Sequence, residues 1–130
     1  MRYLGIDFGL RKIGLSLGDD GSKIASPIET VKNDEHIFSS LSQLVEHEGV
    51  ESIVVGVPVQ DNPAYSTTQL DLTHAFIEEL HKYISLPIHQ IDERYTTSES
   101  KRLKKEFGAQ APEDSLSAMI ILQSYFDELG

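Results

Sequence analysis

The sequence predicts an α/β fold built on a mixed five-stranded sheet, three antiparallel strands followed by two more, with helices on both faces. The chain opens with three short strand-like segments separated by turn residues, which favours an antiparallel meander. Later apolar strand segments alternate with helical ones, as is typical of crossover connections. The 130 residues, 39% hydrophobic and 25% charged, suit one domain over residues 1–130.

The meander comes from three segments at the start of the chain. Residues 2–7 form a short apolar strand that ends in an acid, and residues 12–18 alternate with the period of two of a half-buried strand. Residues 23–31 form a third strand with Pro27 in its middle. Because proline cannot donate a ladder hydrogen bond, this strand is predicted at an edge of the sheet.

The next segment changes to the period of a helix. Its apolar residues share one face: Ile37, Leu41, Leu44 and Val45. Asn33 or Asp34 is the predicted N-cap, and Gly49 is the predicted end.

The rest of the chain alternates strands and helices. Residues 52–57 are a β-branched run typical of a strand buried on both faces. A helix is predicted over 66–83 and a strand over 87–92. A capping box at 96–99 opens a short helix that Gly108 closes, and a final helix runs from 112 to about residue 129. In the helix over 66–83, the predicted inward residues are Leu70, Thr73, Phe76, Ile77 and Leu80.

The composition excludes several classes of protein. The net charge is −10, from 11 basic and 21 acidic residues, so charge alone would not hold this protein on nucleic acid. The absence of cysteine excludes disulfides and thiolate chemistry. No apolar run spans a membrane and the first residues do not form a signal peptide, so a cytoplasmic protein without membrane contact is expected.

Acidic residues fall where ligand sites form in such sheets, beyond the carboxyl ends of strands. Asp7 ends the first strand, Asp92 and Glu93 end the last, and Asp114 opens the final helix. Helical spacing places Asp114 on a largely apolar face that should pack on the sheet, with positions 118, 122, 125 and 129.

Acids gathered in a partly buried place need a compensating cation. Oxygen ligands without cysteine favour Mg²⁺ or Mn²⁺, and two such ions about 3.5–4 Å apart can clamp a phosphodiester during hydrolysis. Each acid could also have a purely structural role. Asp7 could be only a turn residue, and Asp114 could be only a favourable acid in the first turn of a helix. Glu93 could form an ion pair with Arg94.

Basic residues form a local rim suited to phosphate contacts on an otherwise acidic chain. They are Arg11, Lys12, Arg94, Lys101 and Arg102, with Lys104 and Lys105 nearby. For residues 101–105, a solvated helix face is the competing interpretation.

The sequence resembles the YqgF (RuvX) family, small bacterial proteins similar to the resolvase RuvC, with an RNase H-like fold. The motifs follow the family's order over nearly the whole chain: Gly5-Ile6-Asp7-Phe8-Gly9 with Lys12-Ile13-Gly14, Ala25-Ser26-Pro27, Val54-Val55-Gly56-Val57-Pro58, Asp92-Glu93-Arg94-Tyr95-Thr96-Thr97, Asp114-Ser115-Leu116-Ser117-Ala118 and Ile121-Leu122-Gln123. The Asp-Glu-Arg-x-Thr-Thr motif is the most specific. The chain departs from the family in its glycine-free loop 59–65 and in Ser117, where alanine is usual.

The resemblance implies a cytoplasmic, metal-dependent nuclease acting in maturation of the 5′ end of pre-16S ribosomal RNA. It implies Asp7, Glu93 and Asp114 as catalytic and metal-binding carboxylates. Arg94, Thr96 and Thr97 would lie around the site, and the match favours Glu93 over Asp92. The expected partners are nucleic acid and the small ribosomal subunit, and either a monomer or a homodimer is compatible with the sequence.

Three alternatives stay open at this stage. The same chemistry could act on branched DNA, as in a Holliday-junction resolvase. The Asp-x-Gly opening also resembles the phosphate loop of actin-like ATPases, although those use two such domains around a cleft. Third, the chain could be a non-catalytic interaction protein that retains the fold. The presence of Asp7, Glu93 and Asp114 together argues against a non-catalytic protein.

Overall fold

In a computed structural model that describes residues 1–58, 67–93 and 113–130, five strands form one sheet with helices against both faces. The strands are β1 (Arg2–Asp7), β2 (Lys12–Asp19), β3 (Ile24–Lys32), β4 (Ser52–Pro58) and β5 (Ile88–Glu93). The helices in these ranges are α1 (Ile37–Glu48), α2 (Thr67–Tyr83) and α3 (Glu113–Glu128). The predicted fold class is confirmed. The short helix predicted over 96–108 lies outside the described residues.

The strand order is β3-β2-β1-β4-β5. Strands β1, β2 and β3 pair antiparallel, whereas β4 pairs parallel to both β1 and β5. Strands β1, β3, β4 and β5 therefore all end at one edge of the sheet, where β2 begins. We call this the carboxyl edge.

Strand β3 lies at the margin of the sheet, as Pro27 predicts. The β2–β3 register shifts between Leu15 and Ser16, because Leu15 pairs with Glu29 whereas Ser16 pairs with Pro27. One extra residue, Ile28, is thus accommodated in β3. This irregularity is the usual way for a strand to tolerate a proline and to discourage edge-to-edge association.

The two faces of the sheet carry separate cores. The face covered by α1 and α2, the α1/α2 face, has a large apolar core; its members include Leu4, Ile6, Ile13, Leu15, Val55 and Leu80. The face covered by α3, the α3 face, has a smaller core that includes Tyr3, Val54, Ile91, Leu122 and Phe126. Alternate residues of each strand supply the two cores, as the period of two requires.

Helix α3 lies unusually close to the sheet because glycines and hydroxyls face it. A Cβ atom on Gly5 would approach the Ala118 carbonyl oxygen to 2.9 Å, closer than real Cβ contacts. The Ser16 hydroxyl donates to that same carbonyl at 2.8 Å. The Ser115 hydroxyl lies 3.1 Å from the Thr30 hydroxyl on β3. The small side chains at the start of α3 therefore serve contact with the sheet.

Two local predictions are wrong. Helix α1 begins at Ile37, and neither Asn33 nor Asp34 is its N-cap. The Asp34 carboxylate instead accepts the His36 backbone N–H, and the Asn33 amide donates to the Gly9 carbonyl. Leu129, predicted on the inward face of the last helix, lies beyond the end of α3 and is 49% exposed.

Other local predictions hold. Gly49 ends α1 with a φ of 65°, in the left-handed region that glycine tolerates. The inward residues predicted for α2 are buried or half-buried. No helix in the described ranges is both long and apolar enough to cross a membrane.

Candidate active site

Two parallel strands, β1 and β5, bring acidic side chains to the same face of the carboxyl edge. Asp7 is the last residue of β1 and follows Gly5 on the α3 face. Glu93 is the last residue of β5 and follows Ile91, a member of the α3 core. Because side chains two residues apart point the same way, both acids project toward α3.

Strand β4 separates β1 from β5, and its Gly56 leaves room for Glu93. A Cβ atom on Gly56 would lie 3.4 Å from Oε2 of Glu93 and would collide with Ile121 of α3. The Glu93 side chain, only 6% exposed, thus lies over the bare backbone of Gly56. It reaches the Asp7 carboxyl and shares a hydrogen bond with it.

Helix α3 brings the third acid. Gly14 of β2 pairs with Asp7 of β1, and the backbone carbonyl of Asp114 packs directly on Gly14. A Cβ atom on Gly14 would overlap this carbonyl and would approach the Ser115 nitrogen to 3.0 Å. Gly14 therefore permits the first turn of α3 to sit beside Asp7, with the half-buried Asp114 close to it.

The three carboxylates interact electrostatically. Burial, the charge of Glu93, the hydrogen bond to Glu93 and the charge of Asp114 together hold the pKa of Asp7 well above its ordinary value, with burial the largest cause. A hydrogen bond between two carboxyl groups requires a proton on one of them. In the absence of a cation, the pair therefore retains a proton that an isolated aspartate would lose.

Asp92 does not belong to this cluster. It is exposed and alternates with Glu93, so its side chain lies on the opposite face of β5. The geometry thus agrees with the selection of Glu93 from the Asp92-Glu93 pair.

The donor chemistry of the cluster fits a hard divalent cation. Three carboxylates supply only oxygen ligands. Burial first, and then the charges of Glu93 and Asp114, raise the pKa of Asp7, and a cation would offset both the burial and the repulsion. Among residues 1–58, 67–93 and 113–130, no three acidic or histidine side chains already stand at ligand spacing. Asp7 and Glu93 are instead hydrogen-bonded to each other, a contact that an ion between them would replace.

Two of the predicted phosphate-binding residues lie beside the acids. Arg11 is in the β1–β2 turn and Lys12 begins β2; both are exposed at the carboxyl edge. The others, Arg94, Thr96, Thr97, Lys101 and Arg102, lie outside the described residues, as does the loop 59–65.

Sequence reasoning missed two features of this edge. Lys32, the last residue of β3, pairs directly with Lys12 and so joins the basic residues there. Gly14 and Gly56 make room for the backbone of Asp114 and for the side chain of Glu93, roles that the sequence pattern alone does not specify. The β2–β3 register would have revealed Lys32, but Pro27 and its extra residue make that register hard to read from sequence.

Comparison with known proteins identifies the family. The model of the RuvX family, described as Holliday junction resolvase, matches residues 1–128. The chain belongs to the RuvX family. Among curated RuvX-like relatives, a candidate pre-16S rRNA nuclease of Sulfurihydrogenibium sp. (strain YO3AOP1) is 34% identical over 134 residues, covering 99% of this chain and 92% of the relative. A protein of the same name from Legionella pneumophila (strain Lens) is 30% identical, covering 97% of this chain and 95% of that protein.

Solved structures place the RuvX chain in the same fold as junction resolvases. Thermus thermophilus RuvC superposes with a TM-score of 0.66 at 14% identity, over 99% of this chain and 96% of that one. The Fowlpox virus resolvase, solved with Holliday junction DNA, gives 0.63 at 12% identity, over 99% of both chains. At these identities the likeness establishes the fold alone, and it confirms the predicted RNase H-like architecture.

Proposed function

We propose that this RuvX-family chain is a metal-dependent nuclease that cleaves precursor 16S ribosomal RNA during maturation of its 5′ end. The nuclease class follows from the family and from relatives named as pre-16S rRNA nucleases. The observation that carries the site is the hydrogen-bonded Asp7–Glu93 pair with Asp114 beside it, at the carboxyl edge of the sheet. Carboxylates are seldom gathered in this way without a chemical task.

In this proposal Asp7, Glu93 and Asp114 hold Mg²⁺ or Mn²⁺. When bound there, the ion supplies Lewis-acid polarisation of the scissile phosphate. Asp7 and Glu93 would hold such an ion as two ionised carboxylates, with the proton they share released to solvent, since a nearby cation favours the charged form of both. Gly14 and Gly56 keep α3 and Glu93 close to Asp7, so the ligands come from three separate elements held by the core.

The substrate strand would be oriented by the basic residues around the acids. Arg11 and Lys12 lie at the same edge of the sheet. By the family motif, Arg94, Thr96 and Thr97 would join them, and the basic pair Lys101-Arg102 would add further phosphate contacts. An enzyme acting on ribosomal RNA precursor would work in the cytoplasm, with the small ribosomal subunit as a partner.

A Holliday-junction resolvase is the second candidate. The description of the family, Holliday junction resolvase, favours it. The two candidates share one chemistry and differ in substrate. Side-by-side cleavage of a 5′-extended 16S precursor RNA and a four-way DNA junction, each with Mg²⁺ or Mn²⁺, distinguishes them.

The matched pair Glu93→Gln and Asp92→Asn tests the chemistry in that assay. The two residues are adjacent, but only Glu93 faces Asp7. We expect Glu93→Gln to lower kcat/KM about 100- to 1,000-fold, the equivalent of several kcal/mol of lost charge stabilisation.

Asp92→Asn should cleave as the parent does. Equal loss in both variants, or cleavage by Glu93→Gln at the parental rate, would contradict the assignment of Glu93. RNA cleavage without junction cleavage supports the rRNA proposal, and the reverse supports the resolvase.

A further inference from the structure

We propose that Lys32, together with Lys12 and Arg11, forms a prearranged phosphate-binding corner that receives the substrate strand on the β3 side of the carboxylates. This inference rests on the proposed nuclease function for its substrate class. It adds a binding residue, Lys32, and a path for the nucleic-acid backbone across the sheet edge.

The register of the sheet puts the two lysines on the catalytic face. Asp7 pairs with Gly14, and Gly14 pairs with Thr30, whose hydroxyl contacts Ser115 of α3. Lys12 and Lys32 each lie two residues farther toward the carboxyl edge. Because side chains two residues apart share a face, both lysines belong to the same face as Asp7.

The lysines are also near enough to the acids to contact the same nucleic-acid strand. Neighbouring strands are about 4.8 Å apart and two residues span about 7 Å. Lys32, two strands from Asp7, is therefore roughly 10 Å across and 7 Å along from it in backbone position. A backbone crossing the strand ends from β5 toward β3 would meet Glu93 and Asp7 first, then Lys12, then Lys32.

The basic side chains of this corner form no direct ion pair within the described part of the chain. Lys12 and Lys32 are directly opposite each other in the β2–β3 ladder, where like charges repel. None of the ion pairs of the described residues involves Arg11, Lys12 or Lys32. Such a like-charge pair destabilises the free protein, and an anion between the ammonium groups would relieve it.

The nearest acids in sequence are turned to other partners. The Asp34 carboxylate accepts the His36 backbone N–H at 2.9 Å, and Glu35 lies 3.4 Å from the His36 ring. On a chain of net charge −10, two lysines on adjacent strands that have no ion-pair partner among the described residues favour a phosphate ligand over a chance arrangement.

The corner is held in place before any ligand binds. The Asn33 amide donates to the Gly9 carbonyl at 2.9 Å, and the Asn33 backbone N–H donates to the Arg11 carbonyl at 2.9 Å. These bonds fasten the β1–β2 turn to the residue that follows β3. The backbones of Arg11 and Lys32 are thereby fixed relative to each other, so that only their side chains have to be ordered around a phosphate.

The salt dependence of RNA binding tests the corner without relying on cleavage. We would measure the fluorescence anisotropy of a single-stranded RNA of about 20 nucleotides in KCl, with every variant in the Asp7→Asn background so that the RNA stays intact. Removing one phosphate contact makes the slope of log K against log[salt] shallower by about 0.7 for a single strand. We expect that change for Lys32→Gln and for Lys12→Gln.

Lys23→Gln is the matched control. Lys23 is an exposed lysine of the β2–β3 turn, at the opposite end of the same strand pair. Its substitution should leave the slope at the parental value. Between about 50 and 200 mM KCl, the affinity difference between Lys32→Gln and Lys23→Gln should shrink about 2.6-fold, which is the slope change of 0.7 over a fourfold salt range.

Thermal melting of the same proteins shows whether each variant is folded. Since Lys32→Gln removes like-charge repulsion, its Tm should equal or exceed that of the parent. A parental slope in Lys32→Gln, or equal slope changes in Lys32→Gln and Lys23→Gln, would overturn the inference, as would absence of salt-dependent binding by the parent.

The outcomes separate this inference from the proposed function. Cleavage by the wild-type protein with an unchanged slope in Lys32→Gln rejects the corner and leaves the nuclease standing. A shallower slope in Lys32→Gln without cleavage by the wild type supports the phosphate corner and counts against the nuclease.

Discussion

The two faces of the sheet solve the same packing problem with different residues. On the α1/α2 face, large apolar side chains fill the space between sheet and helices. On the α3 face, glycines at positions 5, 14 and 56 let the helix approach, and hydroxyls of Ser16 and Ser115 bond across the gap. The first arrangement stabilises the fold. The second also brings the start of a helix within reach of the ends of two strands, and this is where the carboxylates meet.

The difference between the two faces shows how a small fold can hold a site that lowers its stability. A buried carboxylate cluster destabilises the free protein, since like charges in a poorly solvated place repel. The continuous core of the α1/α2 face supplies stability that does not depend on the cluster. The α3 face can therefore hold acids in a strained electrostatic state that a cation would relieve.

Gly14→Ala is expected to show the largest effect, because it inserts a Cβ atom where the Asp114 carbonyl already lies. The Asp114 backbone cannot move aside as easily as the end of a flexible side chain could. The free energy of unfolding should therefore fall by about 3 kcal/mol. Activity per folded molecule should also fall, by about 100-fold, because the start of α3 and Asp114 are displaced from Asp7. Chemical denaturation and single-turnover cleavage measure the two effects.

Leu80→Ala on the other face is the control for that prediction. Leu80 is fully buried, and its truncation should lower the free energy of unfolding by about 2 to 5 kcal/mol. Its activity per folded molecule should stay at the parental level. If Gly14→Ala and Leu80→Ala lost activity equally, the two faces would not differ in function as described.

The pH dependence of stability is a smaller effect with a definite sign. The folded pKa of Asp7 is raised above its usual 3.8, so the protonated carboxyl contributes its full stability below that value. This contribution is lost as the pH rises through the raised folded pKa. Asn at this position stays neutral, so in metal-free buffer the Tm of Asp7→Asn relative to wild type should increase between about pH 4 and pH 8.

Calorimetry of both proteins across that range checks the prediction. A Tm difference that is constant with pH, or that favours the wild type more strongly at high pH, would show that Asp7 is not held in a like-charge cluster.

Much of the fold is readable from sequence because each element carries its own signal. Pro27 predicts an edge strand, and β3 is one. The β-branched run at 52–57 predicts a strand buried on both faces, and every residue of β4 is buried. The N-cap predicted for α1 is wrong, because the Asn33 amide donates instead to a carbonyl of the β1–β2 turn, a tertiary contact with no local signature.

The candidate site was predicted in part. Asp7 and Glu93 end strands, and strand ends that meet at one edge are predictable once the topology is known. That Glu93 crosses over Gly56 to reach Asp7 depends on the absence of a side chain on a third strand, which no spacing rule reveals. Lys32 was missed for a similar reason, since its pairing with Lys12 follows from a register altered at Pro27.

The most direct test of the central claim is calorimetric titration of Mn²⁺ into the wild-type, Glu93→Gln and Asp92→Asn proteins. We expect the wild type and Asp92→Asn to bind Mn²⁺ with similar affinity, because Asp92 faces away from the cluster. Glu93→Gln should bind at least about tenfold more weakly, because it loses an anionic oxygen ligand. Binding by Glu93→Gln at the wild-type affinity, or no binding by the wild type, would contradict a metal site built from Asp7, Glu93 and Asp114.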